Sequence, residues 1–371
     1  MTHFIYLIDG TSLFAGQVSA GSTYSNIHHI NAMLEYEDRF EQERQIVHYS
    51  RGLGSNNLYS SFLSTALAKG IWDDILDIYI NICSNYRDGD LIYLFGYSRG
   101  AVISRAIAGM INIGLLFPHQ ISCAPLIKQA YLFYARKAMK LDLLEQDLEQ
   151  LKRNKSVISA NCHDKNIKVE FLGLFDSVVG GFRGSRHLQE LNFIESFPSP
   201  NVKTALQLLA IDETLYLFHP SPFMRHNSLD TSTHIEQIWL PGTHSDIGGG
   251  RGDNKLADIS LITMVDRILH HTKLSLNITK ISDSCFKGKE KNILISSDYD
   301  RQPWKLLQRW RTKRAIRGTN HFVHPIVDSL SKIQIDYKGM IRSPYHVDRL
   351  ARTHRCRSLI SDTFANKEIV I

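Results

Sequence analysis

The chain has 371 residues, 43% of them hydrophobic and 22% charged, with a formal net charge of +6. That composition excludes a disordered or low-complexity chain, and the length is enough to bury a large core. The mildly basic balance suits an anionic surface, and no feature of it asks for nucleic acid. The five cysteines, Cys83, Cys123, Cys162, Cys285 and Cys356, are odd in number and form no CxxC pair. They are expected as free thiols of a chain made in a reducing compartment. Asp9 interrupts the first apolar run, so no signal peptide is read and synthesis in the cytoplasm is expected. The longest apolar segment, 101–117, contains Arg105 and is not read as a membrane span.

In chain order, Phe4–Ile8 is a short buried strand ending in Asp9-Gly10-Thr11. Residues 12–30 are rich in Ser, Gly and Asn and read as a loop that becomes a helix near Asn26–Phe40. Gln45–Tyr49 is a second strand, followed by the glycine-rich 51–54 loop. Ile71, Ile75, Ile78, Tyr79 and Ile82 recur at helical spacing over 71–86. Leu91–Phe95 is an unbroken apolar run after the turn signal Asp88-Gly89-Asp90, the pattern of a strand covered on both faces. Residues 126–160 are helical and charged, and the strand–helix alternation does not need them, so they are expected as an insertion or cap. Lys168–Phe175 is a strand ending at Asp176, Ala205–Leu209 is expected to be helical, Ile235–Leu240 is a strand, and Leu256–His270 is a helix. Strands alternating with helices predict one α/β domain over 1–371, with a mostly parallel central sheet and helices on both faces.

The central strand runs into Gly96-Tyr97-Ser98-Arg99-Gly100 and then an apolar segment from Ala101. Strand, G-x-S-x-G and helix form the setting of a nucleophile elbow. Two glycines let strand and helix close around a sharp turn, and Ser98 stands at its apex at a helix N-terminus. The Arg99 N–H there can face a developing oxyanion. A serine N-cap, the other reading, needs neither glycine.

A serine hydroxyl needs a neutral imidazole to take its proton, and that imidazole needs a carboxylate to fix its tautomer. Open α/β sheets place such residues at the C-terminal ends of strands. Asp176 follows one strand, and His244 and Asp246 follow another within Pro241–Gly250. Ser98, Asp176, His244 is the order of nucleophile, acid and base in α/β hydrolases. Asp176 is the preferred acid. Asp246 is the alternative, as orienter of the imidazole or support of the glycine turn. His324 is the alternative base. Asp9-Gly10-Thr11 is either a plain turn or, through the Gly10 or Thr11 N–H, a second oxyanion donor.

These stretches resemble the α/β-hydrolase catalytic domain of the type VI secretion phospholipase effectors. The resemblance is carried by LIDGT at 7–11, QIVHYSRGLG at 45–54, GDLIYLFGYSRGA at 89–101, FLGLFDSVVG at 171–180, AIDE at 210–213 and WLPGTHSDIGGG at 239–250. LADISLITMVDR at 256–267 and HFVHPIVDSL at 321–330 continue it in the family's order. It implies phospholipase A activity with Ser98 as nucleophile, Asp176 as acid and His244 as base; an acyl-enzyme route through these residues is expected to need no metal or other cofactor. The chain departs from the family's pattern at Ser12-Leu13 after DGT, at Thr214 and Leu215 after AIDE, and at Arg251 after GGG.

A serine phospholipase A is therefore the expected function. A soluble carboxylesterase for small esters, or a silent binding module on the same fold, are the rivals. Residues 285–320 are expected to include a basic interfacial segment. Within 303–317, Trp304, Leu307 and Trp310 share one side, and Lys305, Arg309, Arg311, Lys313, Arg314 and Arg317 surround it. A helix of that kind can lie among phospholipid headgroups. A toxic lipase made in the cytoplasm also needs export, or an immunity, inhibitor or activator protein. Peripheral membrane binding or delivery by a secretion system is expected.

Overall fold

The computed structural model describes residues 1–10, 24–35, 43–51, 65–138, 145–163, 167–178, 198–214, 218–223, 233–250, 255–278, 314, 321–330, 334–336, 342–344 and 354–355. Its strands are β1 (Thr2–Ile8), β2 (Arg44–Ser50), β3 (Leu91–Tyr97), β4 (Val169–Phe175), β5 (Val202–Ala210), β6 (His234–Leu240) and β7 (His321–Val323). β8 (Gln334–Asp336) and β9 (Arg342–Pro344) form a separate antiparallel ribbon, and β10 (His354–Arg355) returns to the main sheet. The main sheet has the order β10-β7-β6-β5-β4-β3-β1-β2, and every pairing in it is parallel.

The helices are α1 (Asn26–Met33), α2 (Thr65–Asn85), α3 (Arg99–Ile113), α4 (Ala124–Ala138), α5 (Glu145–Asn161), α6 (His244–Gly248), α7 (Lys255–His271) and α8 (Ile326–Leu330). They cover both faces of the sheet, which is why its strands carry no apolar–polar alternation. Phe4, Tyr6 and Ile8 of β1, with Ile92 and Leu94 of β3, join the core beneath α2, α3 and α4. Ile5 and Leu7, with Tyr93, Phe95 and Tyr97, join the opposite core beneath α1 and α7. Of residues 126–160, those up to Ala138 lie on α4 and those from Glu145 on α5, residues 139–144 lie outside the described residues, and Ile127, Ala130 and Tyr131 of α4 belong to the same core as α2 and α3.

One expected element is wrong in type. Ala205–Leu209 is part of strand β5, not a helix. β5 pairs on both sides and is buried from Thr204 to Ala210, so its apolar residues follow neither period, and a short run of that kind reads equally well as helix or strand.

The strand order reverses at β1 and β3. β2 lies outside β1, and all later strands of the sheet add beyond β3. The crevice at such a switch point, past the carboxyl ends of the strands, is where ligands bind in open parallel sheets. The residues following β1 and β3 are Asp9-Gly10 and Ser98. No helix among the described residues is long and apolar enough to cross a membrane. Cys83, Cys123 and Cys162 are free thiols, and Cys285 and Cys356 lie outside the described residues.

Candidate active site

Strand β3 delivers Ser98 in a conformation that few residues other than glycine adopt. Its backbone has φ 57° and ψ −119°, and Asp176 has φ 40°. Among the described residues these are the two non-glycine residues with positive φ. Local strain of this kind persists only where surrounding structure enforces it. Here Ser98 N–H donates to Phe175 O at 3.0 Å, and Asp176 N–H donates to Leu208 O at 2.8 Å. The glycines are sterically required. A Cβ on Gly96 would lie 2.3 Å from Gly100 O, and one on Gly100 would lie 2.2 Å from Ile8 O and 2.7 Å from Asp9 O. Gly100→Ala therefore pushes the elbow off the end of β1. The expected cost is about 3 kcal/mol or more, read as a lower melting temperature with loss of ester hydrolysis. The Ser98 side chain does not cap α3. Its Oγ lies 2.9 Å from His244 Nε2.

His244 Nδ1 lies 2.7 Å from Asp176 Oδ2. A carboxylate only accepts, so Nδ1 carries the proton and donates, which leaves Nε2 to accept from the Ser98 hydroxyl. The three expected residues come from three separate strand ends and meet in one line. All three are buried. Two aromatic rings pack against the imidazole, Tyr97 at 4.9 Å and tilted, Phe218 at 4.8 Å and stacked. Tyr97 OH also donates to His244 O at 3.2 Å, and His244 N–H donates to Glu213 Oε2 at 3.3 Å.

Asp246 is engaged at the start of a helix, at neither of the two places expected for it, the imidazole and the glycine turn. Its Oδ2 accepts from Thr243 N–H at 2.8 Å and Thr243 Oγ1 at 3.1 Å, closing a capping box at the start of α6, the short helix that begins with His244. His324, the alternative base, is turned to backbone: its Nδ1 accepts from Ile326 N–H at 3.1 Å. Burial pushes its imidazole down to about 4, with Asp266 opposing.

Arg314 was not legible as a site residue. It is 3% exposed, which corrects its expected place around a solvent-facing basic segment. Its two terminal nitrogens grip Asp176, NH1 to Oδ1 at 2.5 Å and NH2 to Oδ2 at 2.9 Å. They also donate to Ala210 O at 3.0 Å and Phe218 O at 2.5 Å. Ala210 N–H adds a donor to Asp176 Oδ1 at 3.1 Å. Burial alone would raise the Asp176 carboxyl. The Arg314 guanidinium and the His244 hydrogen bond outweigh it and hold the carboxyl at about 2. The remainder of 303–317 lies outside the described residues.

The ends of β1 and β3 meet beside Ser98. Ser98 precedes the first turn of α3, and the N-terminal end of a helix dipole favours negative charge. The Arg99 side chain runs into the core, where burial lowers its guanidinium to about 10 against the opposing charge of Asp74. Gly10 N–H, an expected oxyanion donor, donates to Asp9 Oδ1 at 2.7 Å. Asp9 Oδ2 accepts from Ser25 Oγ at 2.6 Å and Tyr49 OH at 2.7 Å, so one carboxylate ties the loop after β1 to the starts of α1 and the end of β2. Burial pushes the Asp9 carboxyl up to about 6, with these donors pulling the other way. Thr11 lies outside the described residues.

A family model described as "T6SS, Phospholipase effector Tle1-like, catalytic domain" matches residues 2–267. The chain belongs to that Tle1-like family. Ser98, Asp176 and His244 all fall inside the match, and Arg314 falls beyond it. A Saccharomyces cerevisiae protein, named as uncharacterized protein YEL023C, is 29% identical over 175 residues, covering 42% of this chain and 24% of its own length. Two solved structures are similar. A Tle1 effector bound to the VgrG spike of the type 6 secretion system has TM-score 0.35 and 18% identity over 67% of this chain and 51% of that one. An uncharacterized protein from Pseudomonas aeruginosa has TM-score 0.42 and 16% identity over 78% and 49%. The chain thus spans about a quarter of the yeast relative and about half of each structure.

Glu213, Phe218 and Tyr97 were also missed as site residues. Glu213 had a signal in the AIDE stretch, hidden because the residues before it read as a helix and not as a strand. Phe218 had none, because its position against His244 depends on the path of a loop.

Proposed function

We propose that this Tle1-like chain is a serine ester hydrolase of phospholipase A type. The observation that carries the reading is the hydrogen-bonded line from Ser98 Oγ through His244 to Asp176, at 2.9 and 2.7 Å, starting from a strained elbow. His244 Nε2 takes the Ser98 proton as Oγ attacks the acyl carbon. The Arg99 N–H at the start of α3 faces the oxyanion that forms. The imidazolium, stabilised by Asp176, then protonates the leaving lysolipid oxygen. Water, deprotonated by the same imidazole, releases the fatty acid and restores Ser98.

Family membership supports phospholipid as the substrate class and delivery by a secretion system as the route to it. Contact with a membrane surface, and a protein that restrains the enzyme before delivery, belong to the same reading.

The test is fatty-acid release from mixed phospholipid vesicles by the purified wild type beside Ser98→Ala. Release by the wild type alone is expected. Equal release by both rejects Ser98 as nucleophile. No vesicle hydrolysis with rapid cleavage of short nitrophenyl esters replaces the phospholipase by a soluble carboxylesterase.

A further inference from the structure

At the end of β6 opposite His244, three side chains of metal-binding chemistry converge. His234 opens the strand, Glu236 follows on the same face, and His271 closes α7. Both imidazoles aim Nε2 at one oxygen. His234 Nε2 lies 2.8 Å and His271 Nε2 2.9 Å from Glu236 Oε1. The ligand atoms of the three residues lie within 4.8 Å of one another, and among the described residues this is the one group that does so.

A second observation points to a ligand there. Glu236 is buried, 6% exposed, and its other oxygen, Oε2, is fully buried with no hydrogen-bond partner among the described residues. Buried carboxylate oxygens are rarely left so, because an unmet acceptor out of water is costly. A cation seated between the imidazoles meets that need where the carboxylate chelates it through Oε2 as well as Oε1.

The surrounding charge permits one. The Arg267 guanidinium approaches Glu236 Oε1 only to 3.9 Å, and its Nε and NH2 are held by Asp266 Oδ2 at 2.9 and 2.5 Å. Arg267 therefore faces two carboxylates, Asp266 and Glu236, with one positive charge, and the three together carry a net negative charge that favours a cation. The His270 ring stands edge-on to His271 at 4.7 Å and hems in one side. The His234 side chain is 55% exposed, which opens a path for an ion and room for water as a further ligand.

We propose that His234, Glu236 and His271 bind a divalent transition-metal ion of the zinc type. Two imidazoles and one carboxylate are a preferred donor set for zinc, with bonds of about 2.0–2.2 Å. A tetrahedral ion at those lengths separates its ligand atoms by about 3.3 Å, so each nitrogen withdraws from Oε1 by about half an ångström. The ion joins the first residue of β6 to the last residue of α7. The two elements flank α6 and His244 in sequence, so the ion closes the β6–α6–α7 unit from its far end. Its role is structural and takes no part in ester cleavage.

The experiment uses the full chain, treated with chelator and then titrated with Zn²⁺, with calorimetry and thermal melting as readouts. Wild type and Ser98→Ala are expected to bind one zinc per chain and to melt a few degrees higher with it. The double variant His234→Gln, His271→Gln keeps amide donors toward Glu236 but removes both imidazoles. Its zinc affinity is expected to fall by more than the roughly 10–100-fold that loss of an outer-shell partner costs, and the melting shift to vanish. The metal-free melts show separately that each variant folds. His234→Gln alone, at the exposed position, serves if the double variant does not. A wild type with no stoichiometric zinc-dependent shift, or a variant that retains it, overturns the proposal.

Discussion

Ser98→Ala and His244→Ala will each slow vesicle hydrolysis by about 10⁶-fold, and the double variant will be no slower than either alone. The reason is the proton. The hydroxyl is a nucleophile only while Nε2, 2.9 Å away, can take its hydrogen. Without the imidazole the oxygen stays a weak alcohol, and without the oxygen the imidazole has nothing to activate. On the proposed mechanism the two act as one device, and their losses are not expected to add. What survives is a residual of about 10³–10⁴ over water from oxyanion donors and binding. Ala at position 98 keeps the backbone bond to Phe175, so folding should be nearly unchanged, and the urea midpoint checks this. Measured kcat values that multiply in the double variant would dissolve the unit into two independent contributions. A fluorophosphonate probe adds a second reading: it should label the wild type and neither single variant.

The parts of this site that were legible in the sequence are those whose signal is local. The elbow is contiguous, a strand, five residues and a helix, and each glycine has its steric reason within that stretch or at the end of β1. Asp176 and His244 were legible because a parallel sheet puts the ends of its strands at one edge, so position along a strand already implies proximity. β5 misled because a strand covered on both faces has no period to read. Arg314 could not be found that way. Its partner is 138 residues away, and it stands in a run of cations that composition cannot separate. The same holds for the His234–Glu236–His271 group, in which a strand start meets a helix end.

Arg314→Met should reduce folding stability by about 3–5 kcal/mol, the usual consequence of stripping one partner from a buried ion pair. Asp176 would then face the core with His244 and Ala210 N–H alone, and two carbonyls, Ala210 O and Phe218 O, would lose their donors. The pH dependence separates this from simple cavity damage. In the wild type the Asp176 carboxyl is held at about 2 in the folded state, below its ordinary 3.8. A carboxyl depressed on folding stabilises the folded state above its unfolded value, here by about 2 kcal/mol. That contribution is lost as pH falls from 3.8 toward about 2. Without Arg314, burial dominates and pushes the carboxyl up. Acid unfolding of the variant should therefore begin at a higher pH than in the wild type, beyond the uniform drop. Arg314→Lys restores a charge but not a planar fork, and should fall between the two. Urea midpoints measured from about pH 3 to about pH 8 would show it. Parallel curves for wild type and Arg314→Met would mean that the guanidinium does not set the charge of Asp176. A steeper acid fall in the variant, with a lower kcat at neutral pH, would mean that a residue beyond the family match holds the acid that orients His244.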